Sequence, residues 1–599
     1  MQTKIWRIFF CFLFFSNALY AQSDLQAKIQ RVEQGLLPQV LVKGDPAWTI
    51  QERMQHYKIP GVSIAVINNF KIEWSKSYGL RDVETKEPVT LETLFQAGSI
   101  SKPVAAMVAL EKVEKGKLAL DENINNKLTS WKLPDTVFTS KKKVTLANLL
   151  SHTGGLTVHG FPGYAVGETV PTLPQILDGA PPANTGAVRV DMEPGVKFRY
   201  AGGGTTIMQL AIMDIEKKPF PQIAKETVLE PLQMTNSTYN QPLPADWLQR
   251  AAAGYRRDGS EVEGKRHTYP EMAAAGLWTT PIDLAKFAIE MQLSLQGQSN
   301  KVLSKAMTEK MLTPFIEDFV ALGFFIDKKG KAIYFQHGGA DEGFRAQLMA
   351  HKEKGYGAVV MVNSDNGQIM NEILRSIAKE YQWEDYLPQP YEITAVESKS
   401  LDDYVGRYLV NPDRVLTFTK ENDKLFVQPT RSPKLELFPI AANRFIRKDA
   451  AIQYSFLQKT GENADTVKIN SDDGASLAPR VSPNFKVPYE HLLAGNFENA
   501  VAAYRKIKQE QPNNDVVAEG RINNLGYELL GQKNYPAAIA IFKLNVELYP
   551  KSANTYDSLG EAYMLNGDRE LAIQNYQRSI ELDPTNKNGI EMLKKLQMN

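Results

Sequence analysis

The C-terminal stretch of the chain repeats itself, and this repetition limits the fold more tightly than any other sequence feature. Leu525-Gly526 and Leu559-Gly560 stand 34 residues apart, as do Ala538 and Ala572, Phe542 and Tyr576, and Pro550 and Pro584. An earlier stretch, NFENAVAAYRKIKQEQP (496–512), carries Ala500, Tyr504 and Pro512 at the same internal offsets, with four extra residues before the next unit. Small residues at the Ala and Gly positions let paired helices approach closely. Stacking the pairs then buries apolar faces that no single pair could hide. A final helix over MLKKLQ (592–597) would cap the stack.

Period and residue types together resemble the tetratricopeptide repeat, which implies an all-α module over 486–599. Such modules present a concave surface, so the resemblance implies a protein or peptide partner. The competing expectation is that the repeats pack against the rest of the chain and serve stability alone.

Upstream the pattern changes twice. From LDDYVGRYLV (401–410) to about 480 the chain reads as strands only: VLTFT, KLFVQP, KLELFPI, RFIRK, IQYSFLQ and TVKIN. A small all-β domain, barrel or sandwich, is expected over 395–482. Before it, residues 45–385 alternate strand-like and helix-like runs. GVSIAVIN (61–68) and KIEWSKSYG (71–79) form an expected hairpin turning at Asn68–Asn69. Strand-like runs return at 321–327, 331–338, 344–351 and 357–364, followed by a helical run over 370–381. Strands at both ends with helices between predict one mixed antiparallel sheet plus a helical lobe, an α/β (α+β) domain spanning 22–390.

The first residues, MQTKIWRIFFCFLFFSNALYAQS, place Lys4 and Arg7 before the apolar run Ile8–Phe15 and end in small residues at Ala21. This is the layout of a secretory signal peptide over 1–21, with an apolar run too short to span a bilayer. The only cysteine, Cys11, lies inside that run, so the processed chain would carry neither disulfides nor thiol chemistry. A periplasmic or secreted protein without a membrane anchor is expected. A net charge of +1 gives no electrostatic case for nucleic acid. The seven histidines include no H-E-x-x-H and no metal-ligand clustering, so neither metal nor cofactor is expected.

The chemistry centres on QAGSISKPVAAM (96–107), where Ser99 stands three residues before Lys102. A serine hydroxyl attacks only when a base takes its proton and its oxyanion is held. At i, i+3 on a helix the two side chains share a face. A lysine accepts a proton near neutral pH only where burial or positive neighbours favour the free amine. The spacing recurs at Ser140/Lys143, within a run of lysines, and at Ser376/Lys379, within an amphipathic helix, and neither context suits a nucleophile.

Three further stretches stand in order after Ser99: LLSHTGGL (149–156), FRYAGG (198–203) and His337-Gly338-Gly339. With PGVSIAV (60–66), EPLQMTNSTY (230–239) and AAAGLWTTPIDLAKF (273–287), residues 45–385 resemble the serine β-lactamase-like superfamily. That group includes class C β-lactamases, D-alanyl-D-alanine carboxypeptidases and related esterases. The resemblance implies a β-lactamase/transpeptidase-like fold and assigns Ser99 as acylated nucleophile, Lys102 as proton relay and Tyr200 as partner base and acid. It places His337, Gly338 and Gly339 on a substrate-binding edge strand, with the Ser99 and Ala340 N–H groups as oxyanion hole. Gly202 and His159 join the substrate-binding set, whereas His152 orients a loop.

Two departures bear on the substrate. The family's Tyr-x-Asn is Tyr200-Ala201-Gly202 here, so the positioning amide is missing. His337 stands where a lysine would meet a substrate carboxylate. Both disfavour β-lactam hydrolysis and D-Ala-D-Ala cleavage. They favour another small acyl substrate, an ester, amide or peptide that includes cell-wall-derived ones. The competing expectation is a catalytically weak ligand-binding protein whose repeats recruit a partner. A literal Lys459-Thr460-Gly461 reads as a hairpin turn of the β-domain.

Overall fold

The structure, a computed structural model, describes residues 22–457, 464–472 and 474–598. The signal peptide expected over 1–21 and the Lys459-Thr460-Gly461 turn lie outside the described residues. The chain divides into two compact units. One comprises the N-terminal stretch through Pro38 together with Asp45–Gln389, and the other Gln39–Gly44 with Pro390–Asn599.

In the first unit, strands β1 (Gly61–Asn68), β2 (Lys71–Asp82) and β3 (Glu87–Pro88) form one side of a seven-stranded sheet. Strands β4 (Phe95–Gln96) and β5 (Trp278–Thr279) pair separately as a short ribbon. Strands β6 (Phe325–Lys329), β7 (Ala332–Asp341), β8 (Phe344–His351) and β9 (Gly357–Val362) complete the sheet in the order β3-β2-β1-β9-β8-β7-β6. Every pairing in this sheet is antiparallel. The reason is connectivity: β6 to β9 are sequential hairpins, and the first hairpin docks β1 against β9. The turn of that first hairpin is shifted by one residue. Asn68 pairs with Lys71, and the loop is Asn69–Phe70, both with positive φ.

β1 and β9 are buried along almost their whole length because both sheet faces are covered. Alternation sorts their side chains. Ala65, Ile67, Val359 and Met361 enter the core under the helical lobe, which includes the helices Ser101–Glu114, Gly202–Glu216 and Pro281–Leu295. Ile64, Val66, Ala358 and Val360 enter a second core under the helices 22–33 and Gln368–Glu380.

That second core contains a buried ion pair. Arg53 donates Nε–H and Nη2–H to the Glu372 carboxylate at 2.7 and 2.6 Å, and the Tyr57 hydroxyl donates to the same group at 2.7 Å. Removing one partner leaves a buried charge uncompensated. Glu372→Ala is therefore expected to lower unfolding free energy by about 3–5 kcal/mol. Denaturant titration checks this, and a loss below about 1 kcal/mol would contradict it.

In the second unit, β10 (Gly406–Asn411), β11 (Arg414–Glu421), β12 (Lys424–Pro429), β13 (Leu435–Ala441), β14 (Arg444–Ile446), β15 (Gln453–Leu457), β16 (Thr466–Ser471) and β17 (Gly474–Val481) close into a barrel. Closure comes from β10 pairing with β17, which leaves no free edge. Its interior is filled by Tyr404, Tyr408, Phe418, Phe445, Tyr454 and Phe456. Helices from Pro488–Leu493 to Lys587–Met598 follow. The repeat's small residues sit where rings pass. A Cβ on Gly526 would stand 2.4 Å from the Phe542 ring, and one on Gly560 would stand 3.2 Å from Tyr576. No helix among the described residues is long and apolar enough to cross a membrane.

Candidate active site

Ser99 lies in a short 3-10 turn, Gly98–Ile100, that runs directly into the helix Ser101–Glu114. The next turn of that helix carries Lys102, only 5% exposed, whose Nζ donates to Ser99 Oγ at 3.0 Å and to the Ala274 carbonyl at 2.8 Å. The other two Ser-x-x-Lys pairs have different partners. Ser140 donates to Val137 O while Lys143 binds Asp135, and Ser376 donates to Val32 O.

Tyr200 closes the group from across the cleft. Its ring lies over Lys102 Nζ, 4.9 Å from the ring centre. Two histidines hold the backbone around it. His152 accepts the Ala201 N–H at 3.2 Å through Nδ1, and its carbonyl accepts the Arg199 N–H at 2.8 Å. The His152 ring is 4.3 Å from that of Tyr200. Burial pushes the His152 pKa well down, with the Lys102 charge acting the same way, so the ring is uncharged. The exposed His159 hydrogen-bonds the Tyr200 carbonyl through Nδ1. His159 thus meets the backbone of the site rather than its reacting groups.

Strand β7 forms the opposite wall. β6 pairs only with Ala332–Gln336, so His337–Asp341 is an open edge on that side. The edge touches the Gly98–Ile100 turn closely enough to demand glycine on both sides. A Cβ on Gly339 would stand 1.9 Å from Ala97 O, and one on Gly98, at φ +50°, would stand 2.4 Å from Ala340 N. The Ala340 amide thus lies beside the residue that precedes Ser99. The Ser99 N–H has no acceptor among the described residues.

His337 is buried, and its Nδ1 hydrogen-bonds the Gly338 carbonyl at 2.7 Å. Burial, reinforced by the Lys102 charge, lowers its pKa to about 3. The position is therefore neutral near pH 7, and no permanent cation stands there for a substrate carboxylate.

Phe161, Phe319 and Phe325 gave no sequence signal. Gly202 begins the helix Gly202–Glu216, and a Cβ there would stand 2.8 Å from the Phe161 ring. Phe161 thus takes the space that an amide side chain at 202 would need. Phe198, Phe319 and Phe325 make an aromatic edge to the cleft, with Phe325 stacked on Tyr200 at 6.3 Å and tilted against His337 at 5.3 Å. Aromatic residues far apart in a chain are ordinary core candidates, and only the fold gathers these.

Glu271, three residues before Ala274, is fully buried, and neither of its carboxyl oxygens has a hydrogen-bond partner among the described residues. Burial raises its pKa from 4.5 to about 7. The folded chain thus keeps this proton up to about pH 7, whereas the unfolded chain releases it near 4.5. The associated stability is complete below pH 4.5 and is lost as pH rises through 7. Glu271→Gln removes the titration. It is expected to match the natural chain at pH 4.5 and exceed it at pH 8 by on the order of 3 kcal/mol. Urea unfolding at the two pH values checks this, and equal stability at pH 8 would contradict it.

An open strand edge, a serine at a helix start and a buried lysine one turn on are set here in a β-lactamase/transpeptidase-like α/β fold. The beta-lactamase family model matches residues 47–382, more than half of the chain, and the chain belongs to that family. Residues 553–586 match the tetratricopeptide repeat. Protein flp of Staphylococcus aureus (strain MW2) is 25% identical over 326 residues, 52% of this chain and 61% of the relative. An uncharacterized protein of Mycobacterium tuberculosis (strain CDC 1551 / Oshkosh) is 29% identical over 267 residues, 40% of this chain and 64% of the relative. The chain thus spans less than two thirds of the length of these relatives. Among solved structures, the octameric penicillin-binding protein homologue from Pyrococcus abyssi aligns with a TM-score of 0.47 and 22% identity, covering 72% of this chain and 98% of that one. The D-amino acid amidase from Ochrobactrum anthropi SV3 aligns with a TM-score of 0.47 and 20% identity, covering 60% and 99%.

Proposed function

We propose that the chain is an exported serine hydrolase that cleaves an uncharged acyl substrate, an ester, amide or peptide, through an acyl-enzyme on Ser99. The observation that carries this reading is the 3.0 Å contact between Lys102 Nζ and Ser99 Oγ beside the open edge of β7. In the free-amine form Lys102 takes the hydroxyl proton, and Ser99 Oγ attacks the acyl carbon. The oxyanion forms between the N–H groups of Ser99 and Ala340, where each donor contributes about two to three orders of magnitude in rate. The proton passes from Lys102 to Tyr200 and on to the leaving group, which restores both side chains; water then gives its proton to the same pair, attacks the acyl carbon and releases the acid with the Ser99 hydroxyl re-formed. No metal or organic cofactor takes part.

Two features support the substrate class. A neutral His337 offers no ion pair to a carboxylate, and Phe161 occupies the space of a positioning amide. The edge formed by Phe198, Phe319 and Phe325 favours an apolar group on the substrate. Export rests on the layout of residues 1–21. The repeats add a surface for a protein or peptide partner.

The test exposes the protein to a fluorophosphonate and, separately, to a labelled penicillin, and maps adducts by mass spectrometry. Labelling of Ser99 by the fluorophosphonate alone is expected. Labelling by both would restore a β-lactamase or D-Ala-D-Ala carboxypeptidase reading. Folded protein that reacts with neither would be a ligand-binding member of the family.

A further inference from the structure

A cavity of about 580 Å³ opens beside the core of the helical lobe, a size within the range of small-molecule sites. Ser99, Lys102, Tyr200 and His337 are not among its lining residues, so it is separate from the catalytic cleft. Its floor is apolar. Ala147 and Leu322 belong to the lobe's core, and Leu120 and Phe315 pack against that core while staying half-buried.

The rim is cationic. Lys142, Lys143 and Lys310 line the cavity against one carboxylate, Asp121, among the described residues. A run of lysines on a surface is ordinarily just solvated charge. Here the ammonium groups come from two separate segments, the loop before the helix Leu146–Leu150 and the last turn of the helix Lys305–Met311, and they meet across an apolar hollow. Lys143 pairs with Asp135 at 2.6 Å and Lys142 with Glu193 at 3.6 Å, but both pairs are exposed and hold their lysines weakly. No carboxylate of the described residues lies within 4.0 Å of Lys310. A neutral apolar molecule would leave these cations unused, and a small anion would leave the floor unused. An apolar body carrying a carboxylate satisfies both.

We propose that this cavity is a second ligand site, which binds an apolar carboxylate with its hydrocarbon on the Leu120–Phe315 floor and its charge at the lysine rim. One loop separates the site from the cleft. Asn148 and Gly195 line the cavity, and both bind Thr153: Asn148 Nδ2 donates to its Oγ1 at 3.1 Å, and the Gly195 N–H donates to its carbonyl at 2.7 Å. Thr153 follows His152, which holds the backbone on either side of Tyr200. The acid released from an uncharged apolar acyl substrate has the chemistry this cavity fits, which makes the reaction's own product a natural occupant. That link to product rests on the acyl-enzyme reading, whereas the binding itself does not.

The experiment titrates octanoate into the full-length chain by calorimetry, with octanol as the uncharged comparison. Three variants are measured beside it: Lys310→Glu, which reverses a rim charge; Thr313→Trp, which fills the cavity from an exposed rim position; and Lys71→Glu, the same charge change at an exposed lysine outside the cavity. Octanoate is expected to bind the unaltered chain more tightly than octanol does. Lys310→Glu and Thr313→Trp should each weaken octanoate by about tenfold or more, and Lys71→Glu should leave it within about twofold. Protein whose Ser99 has first been blocked with a fluorophosphonate should bind octanoate as the free protein does. Absence of binding, octanol binding as tightly as octanoate, undiminished binding in Lys310→Glu and Thr313→Trp, or loss of binding after the Ser99 block would each overturn the proposal. Failure of the fluorophosphonate to label Ser99 would instead overturn the acyl-enzyme reading, and the variant comparison would still decide the cavity.

Discussion

Ser99→Ala is expected to reduce turnover of an activated ester by about four to six orders of magnitude, because nucleophile and base act as one unit. The residual rate would come from the oxyanion donors and from binding alone. The substitution removes one oxygen from a half-buried position at the surface of the cleft. Thermal stability should therefore move by less than about 1 kcal/mol, as for substitutions away from core packing. Ester hydrolysis before and after the substitution, with a melting curve for each protein, checks both parts. Retained turnover in a folded Ser99→Ala protein would remove the catalytic proposal.

Lys102 offers the second large effect, and the choice of replacement decides what it means. Its Nζ contacts Ser99 Oγ and Ala274 O. A lysine that only donated hydrogen bonds there could be replaced in part by another cation. A lysine that accepts the serine proton could not, because a guanidinium does not release its own. Lys102→Ala and Lys102→Arg are both expected to lose about two to four orders of magnitude in kcat, the usual range for a general base. Ester turnover of the two variants checks this. Substantial recovery in Lys102→Arg would show that charge rather than proton transfer is what the site requires.

Much of this site could be read from the chain because it depends on short local patterns. The Ser99–Lys102 spacing is a helical turn, and Gly338-Gly339 sits in a strand-like run, so each has a local geometric meaning. What brings Tyr200 to Lys102 is less local. The Arg199–Ala201 segment is held by His152, some fifty residues earlier, whose loop-orienting role the sequence suggested but whose contact with the Tyr200 ring it did not. Phe161 and Phe325 were invisible for a related reason. Their importance lies in what they touch, and each contact crosses between separate elements of the fold.

The fold shows the same division. Strand-only patterning identified the β-domain, but closure into a barrel depends on β10 meeting β17. Those strands are more than sixty residues apart, and no local pattern records their pairing. The strand order of the first unit's sheet, with β1 beside β9, is likewise not written in any local pattern, because alternation of side chains specifies which face a residue takes and not which strand lies beside it. The repeat was the clearest part. Gly526 and Gly560 recur at the period because Phe542 and Tyr576 recur with them.

The most direct measurement is acid-quenched mass spectrometry of the full-length protein mixed with p-nitrophenyl butyrate, followed by peptide mapping. The account predicts one butyryl group per chain, carried on Ser99 and absent from Ser99→Ala. Hydrolysis of the ester with no acyl group on Ser99, or with the group on another residue, would contradict it.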